Sequence, residues 1–172
     1  YGATCISADT GISLLAGKIV CSSSGTAGKG VSSDGTITIG NQGANDTLLN
    51  LSVTTSGNRF LVSGSGQNAD YANPKAIKAD GNLTVNSGII NANCTQSTEG
   101  GEGLESKDSL FVKGGQITAT TYDDCINAAT HIEVSGGTHS LTARGNDGLD
   151  CNGTLVVSGG LTISKGAGGP EE

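Results

Sequence analysis

The sequence predicts an all-β chain wound as a right-handed, single-stranded parallel β-helix, a solenoid with coils of about 22–25 residues. Three observations carry that expectation. One pattern recurs in phase along the chain, apolar residues alternate by two within each copy, and the composition favours short strands joined by tight turns. Glycine occurs 29 times among many Ser, Thr and Asn residues, Met and Trp are absent, and aromatics make up only 3%. Such a profile suits pleated surfaces and positive-φ turns and leaves little material for long helices.

The pattern opens with CISADTGISLLAGKIVC (5–21) and GVSSDGTITIG (30–40). It continues as AIKADGNLTVNSGIINA (76–92), GLESKDSLFVKGGQITA (103–119), CINAATHIEVSGGTHSL (125–141) and GLDCNGTLVVSGGLTIS (148–164). The first aliphatic residue of each copy defines a zero position: Ile6, Val31, Ile77, Leu104, Ile126 and Leu149. Two places on stand small residues, Ala8, Ser33, Ala79, Ser106, Ala128 and Cys151. Six places on stand Ile12, Ile37, Leu83, Leu110, Ile132 and Leu155, and eight places on Leu14, Ile39, Val85, Val112, Val134 and Val157. Alternation of this kind marks half-buried strands.

The zero positions are 25, 46, 27, 22 and 23 residues apart. Since 46 is twice 23, one further, irregular copy with an insertion is expected within residues 43–73, where LLNLSV and RFLVSGSG supply strand-like runs. A coil cannot bury its own apolar face, so like residues must stack on like, and parallel crossovers favour a right-handed winding. The leucine-rich repeat has a similar period, but its L-x-x-L-x-L-x-x-N spacing does not recur. A β-sandwich would not hold phase over so many copies.

With 34% hydrophobic residues, the chain is expected to form one domain over residues 1–172 with a modest core. Tyr1 enters partway into a coil and GGPEE ends where another would start, so a segment of a longer solenoid is expected. No apolar run approaches membrane-spanning length, and the first residues show no charged n-region followed by an apolar stretch. A soluble, exported and already processed protein is expected.

The net charge of −7 is concentrated: residues 99–150 hold nine acids against Lys107, Lys113 and Arg144. That balance argues against nucleic acid as a partner and for cations. Two places before the zero position stand Thr4, Lys29, Lys75, Glu102, Asp124 and Asp147; one place after it stand Ser7, Ser32, Lys78, Glu105, Asn127 and Asp150. Both columns run from neutral through basic to acidic, and Asp123 and Asn146 extend the stripe one place back. Coils stack about 4.8 Å apart, and carboxylates at that distance repel by about 1 kcal/mol in water and several times more near a low-dielectric surface. Calcium takes six to eight oxygen ligands, amide and backbone oxygens included, in irregular geometry; magnesium demands a stricter octahedron. Glu102, Glu105, Asp123, Asp124, Asn127, Asp147 and Asp150 are therefore the candidate calcium ligands. The bland alternative is a solvated acidic face with Lys75–Glu102 and Lys78–Glu105 contacts between coils. GNDGLD also resembles a calcium-binding nonapeptide repeat, but occurs once and at the wrong period.

Five cysteines leave one over in any disulfide scheme. Cys21 and Cys151 fall in small-residue columns and are expected as buried thiols, whereas Cys94, in a longer connection, is a candidate partner for Cys125. No C-x-x-C occurs, which disfavours structural zinc. His131 and His139 occupy strand positions and are read as structural.

Four motifs in order, NADYANPKAIKADGNLTVNSG (68–88), GGEGLESK (100–107), YDDCINAA (122–129) and NDGLDCNGTL (146–155), resemble a bacterial family of extracellular carbohydrate-binding β-helix proteins. That family binds cellulose and polygalacturonate and is similar in structure to the calcium-dependent family 9 pectate lyases. The resemblance implies a right-handed β-helix that is secreted or held at the cell surface, calcium at Glu102, Glu105, Asp123, Asp124, Asp147 and Asp150, and polysaccharide recognition. Calcium on one face would coordinate the carboxylates of an acidic, pectin-like chain, and the shortage of aromatics disfavours a stacking platform for cellulose. A weak lyase is the alternative, with Lys75 or Lys78 as the base that removes a proton while calcium neutralises the neighbouring carboxylate. Arg144 lies out of phase with both lysines. A third reading is structural, a filament built by end-to-end stacking of exposed strand edges.

Overall fold

Each coil in the computed structural model, which describes residues 3–43, 48–96 and 99–167, is three strands with short connections inside the coil, except at 40–48, and a looser one leading to the next. The first coil is β1 (Ile6–Ala8), β2 (Gly11–Leu14) and β3 (Gly17–Ser23), and the second is β4 (Lys29–Ser33), β5 (Thr36–Ile39) and β6 (Leu49–Thr55). A short antiparallel pair follows, β7 (Phe60–Ser63) and β8 (Asp70–Ala72), around a 3₁₀ turn at Gly66–Asn68. The third coil is β9 (Lys75–Ala79), β10 (Leu83–Val85) and β11 (Ile89–Cys94), and the fourth is β12 (Glu102–Ser106), β13 (Ser109–Val112) and β14 (Gln116–Thr121). The fifth is β15 (Ile126–Ala128), β16 (His131–Val134) and β17 (Thr138–Ala143), and the sixth is β18 (Leu149–Cys151), β19 (Thr154–Val157) and β20 (Leu161–Lys165). First, second and third strands gather into three six-stranded sheets, β1-β4-β9-β12-β15-β18, β2-β5-β10-β13-β16-β19 and β3-β6-β11-β14-β17-β20. The chain is a parallel β-helix. Tyr1 and GGPEE, on which the expectation about the chain ends rests, lie outside the described residues.

The ladder registers reproduce the sequence columns. Ile6, Val31, Ile77, Leu104, Ile126 and Leu149 pair in succession on the first sheet, and Ile12, Ile37, Leu83, Leu110, Ile132 and Leu155 on the second. The third sheet adds Ile19, Leu51, Ile90 and Ile117, where His139 continues the column. These columns are the core, fully buried in the inner coils and opening to solvent in the sixth, where Leu155 is exposed.

One expected coil does not exist. Lys29 pairs with Lys75 and Val31 with Ile77, so nothing is stacked between the second and third coils. The doubled interval of 46 residues is β6, which completes the second coil, followed by the β7–β8 excursion. Residues 44–47 of this interval lie outside the described ones. A parallel ladder fixes only where a loop leaves and returns, and loop length adds little closure entropy; the period can therefore double without a new rung.

The corner between second and third sheets explains one run of glycines. Gly88, Gly115, Gly137 and Gly160 all hold positive φ, between 81° and 103°, and they stack. A Cβ on Gly137 would lie 2.6 Å from the Gly115 carbonyl oxygen, and one on Gly160 2.7 Å from that of Gly137. Both conformation and close approach require glycine there.

Leu110, with 0% of its surface exposed, sits in the middle of its column. Leu110→Ala is expected to lower unfolding free energy by about 3 kcal/mol, whereas Val157→Ala, at a residue 53% exposed, lowers it by under about 1 kcal/mol. Urea unfolding followed by circular dichroism checks both.

Candidate functional site

Strict alternation would put the column two places before the zero position and the column one place after it on opposite faces of the first sheet. The fold avoids this by turning two successive residues inward. Ala76 and Ile77 are both fully buried in the core, as are Cys125 and Ile126. Where the inner column has glycine the space is already filled: a Cβ on Gly30 would come within 2.0 Å of Val53 Cγ1. This inward pair, preceded and followed by outward residues, brings Glu102 and Glu105 to the same outer surface.

Backbone hydrogen bonds extend the ladder back into the corner before each strand. Gly103 N donates to Asp124 O at 3.0 Å and Cys125 N to Asp147 O at 3.1 Å, which stacks Glu102, Asp124 and Asp147 on neighbouring rungs. Glu102, Asp123 and Asp124 each offer one carboxylate oxygen within 4.8 Å of the others. Asp123 is held by Gly100 N and by Asn146 Nδ2, which donates to its Oδ1 at 2.7 Å. Asp124 Oδ1 accepts from Asp147 N at 3.1 Å and its Oδ2 from Asn127 Nδ2 at 3.0 Å.

Lys75 reaches into the group, its Nζ 2.5 Å from Glu102 Oε1 and 3.4 Å from Glu105 Oε1. The other oxygen of each glutamate, Oε2, is buried without a hydrogen-bond partner. Burying a carboxylate oxygen with no donor is unfavourable, so the site is short of positive charge. Burial, partly offset by Lys75 and reinforced by Glu105 and Asp123, pushes Glu102 up to about 7. Burial and then Asp123 push Asp124 up to about 6. Glu105 is also raised by burial, but Lys75 and Lys107 outweigh that and hold it below the ordinary carboxylate value.

The seven expected ligands thus divide. Glu102, Asp123 and Asp124 converge. Asn127 and Asp147 act on Asp124 through the hydrogen bonds above. Glu105, Asn127 and Asp150 follow one another along the ladder, with Glu105 bound to Lys107 at 2.5 Å. The convergent group is all carboxylate, a hard-oxygen donor set that fits calcium and offers nothing to a metal preferring nitrogen or sulfur. Asn146, absent from the expected ligand set, holds Asp123; its place in the same column as Asp123, three before the zero position, was the available signal.

Other expectations are corrected. The Lys75–Glu102 contact exists, but Lys78 pairs with Asp80 rather than Glu105, because Asp80 lies two residues on, just past the end of the same strand. Cys94 and Cys125 are free buried thiols: Cys94 Sγ donates to Pro74 O at 3.7 Å, and Cys125 Sγ lies 3.2 Å from Thr121 Oγ1. Cys21 is buried as expected, while Cys151, in the outermost coil, is only half-buried. His139 is buried with Nε2 against Gly136 O at 2.9 Å, and Arg144 straps three coils through the carbonyls of Thr95, Gln96 and Thr121.

Residues 95–169 match a protein family described as carbohydrate-binding domain-containing protein. That segment is less than half of the chain and contains all seven acidic-stripe residues, so carbohydrate binding is supported for the part that carries them. No curated protein and no solved structure matches the chain.

The pH response follows from two raised carboxyls. Their folded-state values, about 7 for Glu102 and about 6 for Asp124, exceed the ordinary 4.5 and 3.8, so protonation favours the folded chain. Their contribution is complete below about pH 4 and is lost as pH rises through 6 and 7. In chelator, unfolding free energy should fall by roughly 2 kcal/mol or more over that range, and Glu102→Gln should flatten the fall. Thermal unfolding at a series of pH values, with and without calcium, measures it.

Proposed function

We propose that the chain is an extracellular, calcium-binding β-helix that recognises acidic polysaccharide of the polygalacturonate type, secreted from or displayed on a bacterial cell. The observation that carries this reading is the convergence of Glu102, Asp123 and Asp124 within 4.8 Å, together with the buried, partnerless Glu102 Oε2. A calcium ion held there supplies the missing positive charge and keeps valences open toward solvent. Those valences attract a sugar carboxylate to a surface that would otherwise repel it.

Binding is favoured over elimination by the state of the two lysines expected as bases. Lys75 is tied to Glu102 and Glu105, and Lys78 to Asp80. A general base must lie within hydrogen-bond reach of the proton it removes, and the Nζ of each is already engaged by carboxylate. Contact with the polymer is mainly polar and ionic, since aromatics are only 3% of the residues.

Titration with polygalacturonate in calcium and in chelator tests the reading. Affinity should fall at least about tenfold when calcium is removed, and by a similar factor in Asp124→Asn with calcium present. Ultraviolet absorbance followed in the same samples should stay flat. Equal affinity in calcium and chelator would sink the calcium mechanism, and growing absorbance from an unsaturated product would mark a lyase.

A further inference from the structure

The basic end of the stripe is unexplained by a calcium site. Lys29 and Lys75 are direct cross-strand partners, as are Ser32 and Lys78, and like charges opposite one another on a ladder are destabilising. Lys75, Lys78 and Lys107 have carboxylate partners. Lys29 has no ion pair among the described residues, and its Nζ donates only to Ala27 O, at 3.4 Å. Burial, and then Lys78, push it below the ordinary lysine value.

These four lysines line a pocket of about 250 Å³ in which Glu105 is the single carboxylate. The remaining wall comes from Tyr71, Ala72 and Asn73, at the end of the β7–β8 excursion. The excursion is itself braced: Arg59 lies over the Tyr71 ring at 3.9 Å and bonds Glu99 at 3.2 Å. The doubled interval therefore has a use, since it closes the side of a cationic hollow that the coils alone would leave open.

We infer that this pocket is an anion subsite that takes the carboxylate of one uronic acid residue, one or two rungs from the candidate calcium site on the same face. Its volume lies just under the roughly 300–1,000 Å³ of drug-sized sites, room for one sugar ring. The ammonium groups of Lys29, Lys78 and Lys107 meet the carboxylate, Tyr71 offers an apolar ring face, and Asn73 an amide whose Oδ1 has no hydrogen-bond partner. A site for bare phosphate needs neither of the last two. Lys75 belongs to both places, lining the pocket while bonding Glu102, so a polymer along the solenoid axis meets lysines on the inner coils and the acidic ladder on the outer ones.

This inference rests on the acidic-polysaccharide reading, and the experiment separates the two. A short oligogalacturonate is titrated in calcium into wild type, Lys29→Gln, Tyr71→Ala and Asp124→Asn, with calcium binding measured alone by calorimetry. Lys29→Gln should weaken oligogalacturonate about tenfold, reduce the salt dependence of binding, leave calcium affinity unchanged and not lower the melting temperature. Tyr71→Ala, on the excursion outside the coils, should weaken it several-fold. If both variants bind as wild type does while Asp124→Asn is weakened, the pocket is overturned and the polysaccharide reading stands. No binding by wild type overturns both. Inorganic phosphate displacing the oligomer from the pocket at equal concentration overturns the uronate assignment.

Discussion

Parallel stacking in register is the constraint from which the rest follows. Each outward or inward side chain stands about 4.8 Å from its counterpart in the next coil, so a column can hold only what tolerates its own kind. Aliphatic residues gain by this, and Leu83, Leu110 and Ile132 are fully buried in one column. Charged residues lose by it. The chain nevertheless repeats charge on one face, with lysines opposite each other on the second and third coils and acids on the fourth, fifth and sixth. Where the two runs meet, Lys75 bridges Glu102 and Glu105, which satisfies one oxygen of each glutamate and leaves a deficit on both the acidic and the basic side.

The two sides have different deficits. On the acidic side, Glu102 Oε2 and Glu105 Oε2 are buried without donors, a deficit that a proton on Glu102 relieves at low pH and that the proposed hard cation would relieve at neutral pH. On the basic side Lys29 lacks a carboxylate among the described residues, and the deficit is one of negative charge. One ligand answers both only if it is itself an anion long enough to reach from one side to the other and able to share a cation. A polyuronate has that character, and a neutral glucan does not.

Much of this was legible in the sequence because a solenoid converts intervals into distances. The zero-position column and the columns two, six and eight places on are the ladder registers themselves. What was not legible depended on departures from strict alternation. The inward pair Ala76–Ile77 puts Glu102 and Glu105 on one surface, and small residues at the first of its two positions, Gly30, Ala76, Gly103 and Gly148, are its only trace in the sequence. The doubled interval was read as two coils because arithmetic cannot tell a rung from a loop of equal length. Lys78 chose Asp80 over Glu105, a choice between a neighbour in the turn that follows its strand and one across the ladder that periodicity does not rank. Cys94 and Cys125 are held apart in their own hydrogen bonds, with Thr121 beside Cys125, a matter of side-chain packing rather than spacing.

The placement of these features on the solenoid is not arbitrary. Between first and second sheets the connections are two or three residues, as at 9–10, 34–35 and 107–108. The corner between the third sheet and the next coil varies most, running over 24–28, 56–74, 95–101, 122–125 and 144–148, whereas the corner between second and third sheets lengthens only at 40–48. Gly100, Asp123, Asp124, Asn146 and Asp147 all lie at that corner, as do Tyr71 and Asn73. Insertions in stacked repeats map to loops, mostly on one face, where the chain can leave the ladder without breaking it. Where the glycine corner is short the coils pack closely, and a Cβ on Gly115 would lie 3.0 Å from the Gly88 carbonyl oxygen. The fold thus gathers these side chains on one edge, and on that edge a repeated period gives any ligand a row of like positions to bind rather than a single point.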